Sequence, residues 1–237
     1  MARSADTRTL ARRPHIFGGG VDSQHHPVWH REEVFPFPDF PLAVSYADPQ
    51  EAHCLHTHSG FSEIVLIYRG QGEHFTEDDG YVVAAGDVFV AFGEQAHGYR
   101  NVDNLCLVNV LFDPKLVSTR LPQIRKLPGY HALFCLEPRY RRRHRFDSRL
   151  RLNPNEMARA LSFVDDLVDE VMDRSPGFEF MALAILMQML GFLCRCYPKA
   201  HNPTSRSLMR IGNALSHIEN NYGEDLTLES LCEVAQM

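Results

Sequence analysis

The stretch His56-Thr-His58-Ser-Gly-Phe-Ser-Glu63 constrains this chain more than any other part of it. Two histidines at alternate positions of an extended segment point to one face, because side chains on a strand repeat every two residues. Glu63 opens the apolar run Ile64–Tyr68, so its carboxylate can meet both imidazoles. Downstream, Gly86-Asp87 leads into a second apolar run, Val88–Phe92, and His97 follows it. A sheet that closes on itself brings this third imidazole to the same pocket. Three nitrogens and one oxygen form a donor set that suits a first-row divalent metal. The same four side chains can also form a metal-free polar cluster inside a barrel, and a pocket is expected either way.

The surroundings of this stretch read as strands separated by turn signals. Leu42–Tyr46 is expected as the first strand, and Ile64–Tyr68, Tyr81–Ala84, Val88–Phe92 and Leu105–Phe112 follow at regular spacing, which argues an antiparallel barrel or sandwich. Gly70-Gln-Gly72 and Asp78-Asp-Gly80 are expected as hairpin turns, where glycine accepts positive φ. If Glu63 faces inward, so do Val65 and Ile67. Asn109 interrupts the last apolar strand on the face of Leu107 and Leu111, either as a satisfied core residue or as a contact to a polar ligand. The other histidines, including His53, His74 and His131, carry no further spacing signal.

Before residue 42 the sequence has no period. The first dozen residues are basic and polar and are expected to be disordered. Residues 14–41, broken by Gly18-Gly-Gly20, Pro36, Pro38 and Pro41, are expected as an irregular arm with short extended pieces. Trp29, Phe35, Phe37 and Phe40 would pack that arm onto a core or lay it over a pocket.

After Asn153-Pro154 the period becomes helical. Met157, Ala160, Leu161, Val164, Leu167, Val168 and Val171 form one stripe, and a helix from Phe178 to about Tyr197 is apolar almost all round. Gln188 and Gly191 interrupt it, and it is expected to be a covered helix rather than a bilayer span. Lys199 to Arg206 reads as a polar linker. Leu208, Ile211, Leu215, Ile218 and Tyr222 mark a third helix, and Thr227 is the expected N-cap of a fourth, Glu229-Ser-Leu-Cys-Glu-Val-Ala.

Composition excludes little beyond this. In 237 residues, 44% hydrophobic and 23% charged content is ordinary for a globular protein, and a net charge of −6 gives no global attraction to nucleic acid or to anionic membranes. Six cysteines scattered over apolar runs, with no signal-peptide core at the N-terminus, read as buried thiols in a reducing cytoplasm. Arg139 to Arg151 is the strongly basic patch, expected as a solvated loop between extended pieces at Ala132–Leu136 and Ser148–Leu152.

The run from His56 to Gly70 resembles the first cupin motif, and Gly86 to Asn101 resembles the second, with His97 and Asn101 in place and with Phe92 and Glu94 at its proline and glycine positions. Together with the helical tail, in which Leu226-Thr-Leu and Glu229-Ser-Leu-Cys-Glu-Val-Ala look like the entry to a helix-turn-helix domain, the chain resembles the AraC/XylS regulators, and among them most the rhamnose-responsive ones. The resemblance implies an α+β chain with this organisation: an arm (1–41), a cupin or jelly-roll barrel that binds an effector (42–153), a helical pair that dimerises (154–197), a linker (198–206), and the first helices of a DNA-binding domain whose recognition helix is absent from this chain (207–237). It further implies a non-enzymatic, cytoplasmic homodimer that senses a small molecule, commonly a sugar, with His56, His58, Glu63, His97 and Asn109 lining the pocket and the apolar faces of 157–171 and 180–194 forming the dimer contact. DNA would be met through the complete C-terminal domain. No cofactor is required, although a divalent metal on His56, His58, Glu63 and His97 is compatible with the motif. The rival reading is a metal-dependent cupin enzyme, a dioxygenase or sugar isomerase, supported by the complete ligand set.

Overall fold

The computed structural model describes residues 20–37, 39–92, 95–120, 122–141, 149–199 and 203–237. The first dozen residues, on which disorder was expected, lie outside them. Eight strands appear among the described residues: β1 (Val28–His30), β2 (Leu42–Ala47), β3 (His53–Ser59), β4 (Ser62–Thr76), β5 (Gly80–Ala84), β6 (Asp87–Ala91), β7 (His97–Phe112) and β8 (Leu150–Arg151). The long β4 and β7 pair antiparallel along their length and form the spine. β6 and β5 pair with β4, β3 and β2 with β7, β8 with β6, and the arm strand β1 adds to β3 in parallel.

Pleating divides the central strands between two compartments. Ile64, Leu66, Val88, Val90, Val108 and Val110 face the helices, whereas Val65, Ile67, Phe89, Leu105 and Leu107 face the barrel interior with Tyr81, Val83 and Tyr99. β4 does not turn at Gly70-Gln-Gly72 as expected; it runs on through register shifts between Ile67 and Glu73. Gly70 sits there at φ +71°, and a Cβ on it would lie 2.0 Å from the Asn104 carbonyl oxygen, so this glycine serves a bulge against β7 rather than a hairpin. The Asp78-Asp-Gly80 turn does join β4 to β5.

The helices are α1 (Arg31–Val34), α2 (Pro114–Arg120), α3 (Pro128–Tyr130), α4 (Glu137–Arg141), α5 (Pro154–Asp173), α6 (Phe178–Cys196), α7 (Pro203–Asn221) and α8 (Leu228–Ala235). Asn153 caps α5, its side chain accepting from the Glu156 amide while Glu156 accepts from the Asn153 amide. Thr227 caps α8 in the same way with Ser230. The apolar stripe of α5 (Met157, Ala160, Val164, Leu167, Val168, Val171) is buried within the chain itself, and burial of its large side chains stabilises the fold by roughly 1.5–3 kcal/mol each. This corrects the expectation that the 157–171 face meets a second subunit: it is already spent on the sheet and α6. The outer side of α6 is different, with Phe180, Met181 and Met187 exposed.

Three other expectations change. Residues 131–136 are a π-helical turn that joins α3 to α4, not an extended piece; a short apolar run does not declare its own period, and Pro128 at the first helical turn together with packing against α6 and α7 decides it. The linker read at Lys199 to Arg206 is shorter, because Tyr197–Lys199 forms a 3₁₀ turn and α7 begins at Pro203. Counted with that turn, α6 reaches 22 residues, longer than expected, and its most apolar 18-residue window has a mean hydropathy of 1.7, so length and composition alone would let it cross a membrane; 44% of that window is buried inside the chain.

In the basic patch, residues 142–148 lie outside the described set, and two of the remaining arginines are not solvated loop residues. Arg141 is buried, donating to the Val90 carbonyl, lying 3.5 Å from the Glu137 carboxylate and 5.0 Å over the Phe89 ring. Arg149 ties the Asp87 carboxylate at 3.3 Å.

Candidate functional site

His56 and His58 lie on β3, Glu63 on β4 and His97 at the start of β7, where it is the cross-strand partner of His56. All four are buried, at 3–4% exposure. One ring nitrogen from each of the three histidines falls within 4.8 Å of the others. The Glu63 carboxylate is 3.6 Å from His58 Nε2 and 3.9 Å from His97 Nε2. The sheet thus brings together the four residues expected to meet.

The backbone sets the tautomers of two of them. His56 Nδ1 lies 3.2 Å from the Cys54 carbonyl oxygen and His97 Nδ1 lies 3.1 Å from that of Gln95. A carbonyl only accepts, so each Nδ1 carries the proton and each Nε2 keeps its lone pair for the cluster. His58 has no hydrogen-bond partner on either ring nitrogen among the described residues. Three lone-pair imidazoles and one carboxylate, two of the rings anchored from behind, fit a divalent cation, which bound there would supply Lewis-acid chemistry.

Burial governs the charge. It pushes the Glu63 carboxyl up to about 8 and His97 down to about 4. His56 and His58 are driven well below their ordinary value, first by burial and then by neighbouring imidazoles. Without a metal the cluster is therefore neutral at pH 7, a protonated carboxyl among neutral rings.

Rings frame it. Trp29 of the arm stacks on His56 with centroids 3.8 Å apart, and Phe61 stacks on His58 at 4.6 Å. Phe35 and Phe40 are buried, so the arm both packs onto the core and reaches the cluster. Asn109 pairs with Val65 on β4 and lies two residues along β7 from Leu111, the partner of Glu63, which puts it on the Glu63 face; its Oδ1 is buried without a hydrogen-bond partner among the described residues. Asn101, matched to the second motif, instead bonds Glu73 at 2.9 Å on the surface. One residue was missed: His74 is buried at 3% exposure and stacks on His97 at 5.2 Å.

Residues 41–152 match the family model of the AraC-like ligand binding domain. The HTH-type transcriptional activator RhaR of Enterobacter sp. (strain 638) is 27% identical over 197 residues, which cover 82% of this chain and 66% of that protein. Its namesake from Escherichia coli (strain K12) is 25% identical over 206 residues, 86% of this chain and 69% of that one. The chain thus spans about two thirds of the length of these curated relatives. Among solved structures, the AraC-like transcriptional activator CuxR aligns over 83% of this chain and 64% of its own at 14% identity and a TM-score of 0.37. A cupin protein from Bacteroides fragilis aligns over 31% and 64% at 13% identity and a TM-score of 0.26.

Proposed function

We propose, from the premise that residues 41–152 belong to the AraC-like ligand-binding domains, that this chain is the effector-sensing part of a cytoplasmic AraC-family transcription regulator and takes a small polar molecule, a sugar, inside its barrel. The observation that carries the reading is the buried cluster of His56, His58, Glu63 and His97, a set of polar groups enclosed by apolar strands in the matched domain. Buried polar groups cost stability unless they are satisfied, and a polyhydroxylated ligand satisfies several at once. His56, His58, Glu63, His97 and Asn109 are the contacts on this reading. The exposed outer side of α6, with Phe180 and Met187, is the surface for a second copy. DNA is met through the C-terminal part that α7 and α8 open.

Trp29, the sole tryptophan, provides the assay, because its stacking on His56 makes its emission report on the cluster. Titration of the chain with a panel of neutral sugars should give a saturable emission change for one of them, and Glu63→Ala or His97→Ala should abolish it. Unchanged affinity in both variants would refute the assignment. A second reading, a metal-dependent cupin enzyme, is favoured by one observation: the complete donor set with two Nδ1 positions anchored. Stoichiometric metal in protein purified without added metal, with no sugar response, would move the assignment to it.

A further inference from the structure

We propose that His74 is a ligand-contacting residue, and that with Asn109 it extends the His56–His58–Glu63–His97 cluster into one site for a neutral, polyhydroxylated molecule rather than for a sugar acid. This rests on the effector-sensing reading and deepens it.

His74 lies eleven residues beyond Glu63 on the same strand, so strict alternation would put the two on opposite faces. The register shifts around Gly70 change the parity. Val65 and Ile67 face the interior before the bulge, and His74 lies after it against the interior rings of Tyr81, Phe89 and Tyr99. The faces of its imidazole are covered by His97 at 5.2 Å and Tyr81 at 5.1 Å, with interplanar angles of 24° and 30°. Neither ring nitrogen has a hydrogen-bond partner among the described residues, and the same holds for both nitrogens of His58 and for Oδ1 of Asn109. Each such buried atom costs on the order of 1–3 kcal/mol, and a phenyl ring at position 74 would fill the same stack without that cost. Three side chains from three strands with this defect, on the interior face of one barrel, are explained together by a ligand that donates and accepts at several points, as a chain of hydroxyls does.

The charges argue against an acid. Among the described residues, the buried cation at the interior wall is Arg141, and it is already engaged by the Glu137 carboxylate and the Val90 carbonyl. Glu63, the carboxyl group buried in the cluster, supplies no positive charge to a ligand's carboxylate. A sugar acid would therefore bury its charge without a counter-ion, the costliest arrangement a binding site can adopt.

The test uses the full chain and matched probes: neutral aldohexoses and 6-deoxyhexoses against the corresponding hexuronic acids by calorimetry, with zinc binding measured in parallel. A neutral sugar should bind and its uronic acid should not. His74→Phe should weaken sugar binding by about tenfold or more while leaving zinc affinity unchanged, and His74→Gln, which keeps a donor and an acceptor, should recover most of the loss. Circular dichroism melts establish that both variants fold. Binding of the uronic acid, wild-type sugar affinity in His74→Phe, absence of binding by every neutral sugar in the panel, or failure of both variants to fold would overturn the proposal. Failure of the underlying reading looks different: Glu63→Ala and His97→Ala would then leave sugar affinity intact.

Discussion

Replacing Glu63 by glutamine should make the metal-free chain more stable, by an amount that grows with pH. The carboxyl is held at about 8 in the fold against an ordinary 4.5, because burial disfavours its charged form. A raised acid pKa means that the folded chain holds a proton that the unfolded chain has released. The associated stability is fully present below pH 4.5 and is lost as pH rises through 8. The slope is about 1.4 kcal/mol per pH unit, so the loss is about 2.5 kcal/mol between pH 5.5 and 7.5 and approaches about 5 kcal/mol above pH 8. The buried histidines work in the opposite sense: with folded values depressed, their stability is present above 6.5 and is lost as pH falls towards 4 for His97. They complicate the absolute profile of either protein, but they largely cancel in the difference between Glu63→Gln and the wild type. Urea unfolding followed by circular dichroism, in chelator at pH 5.5, 6.5 and 7.5, measures that difference. Glutamine should gain about 2.5 kcal/mol on the parent over this range, or about 5–10 °C in melting temperature. A difference that stays constant with pH would mean that Glu63 is ionised in the fold and would refute the neutral-cluster argument.

Gly70→Ala and Gly177→Ala form a second comparison. Both positions have positive φ, +71° and +89°, but a Cβ at 70 would meet the Asn104 carbonyl at 2.0 Å, whereas one at 177 meets nothing within 4 Å. Gly177→Ala should cost on the order of 1 kcal/mol and Gly70→Ala at least about 3, read as urea midpoints. Equal costs would show that the bulge is not held by close backbone approach. On α6, the pair Phe180→Ser and Met187→Ser removes side chains that are 75% and 50% exposed, so the stability of the isolated fold should change by less than about 1 kcal/mol. Light scattering should nevertheless report a fall from dimer to monomer, and a variant that remains dimeric would move the interface elsewhere.

What was legible in the sequence followed from period and capping. His56 and His58 declared one face through alternation, Glu63 opened the next apolar run, Asn153-Pro154 and Thr227 announced helix starts, and the α5 stripe was visible at its helical spacing. What was not legible depended on geometry that alternation cannot carry. His74 is on the wrong parity from Glu63, and the register shifts between Ile67 and Glu73, where Gly70 closely approaches β7, correct it. The helical turn at 131–136 has too short an apolar run for its period to show, and its surroundings chose it. Arg141 read as one solvated arginine among seven because its partners, Glu137 and the Val90 carbonyl, are set by the packing of α4 on β6.

The same strands that hold the cluster also hold the helices, which gives the proposed sensor a physical route from ligand to neighbouring domain. Glu63 alternates with Ile64 and Leu66 on β4, and Asn109 with Val108 and Val110 on β7; the first of each set faces the barrel and the others face the core shared with α5 and α6. On β2, Ser45 pairs with Asn109, while the next residue, Tyr46, bonds Asp165 of α5 at 3.0 Å through its hydroxyl. A ligand that draws Glu63 and Asn109 inward moves backbone whose reverse side is packed at core density, where displacement is transmitted rather than absorbed. Position alone does not make this a switch: the ligand must bind one arrangement of sheet and helices better than another. Tyr46→Phe separates the two possibilities, because it leaves the pocket untouched and removes the Tyr46–Asp165 hydrogen bond between β2 and α5. Unchanged sugar affinity together with an unchanged ligand-induced protection of α5 amides from hydrogen exchange would show that this tie carries no coupling. Retained affinity with reduced protection would place it on the route.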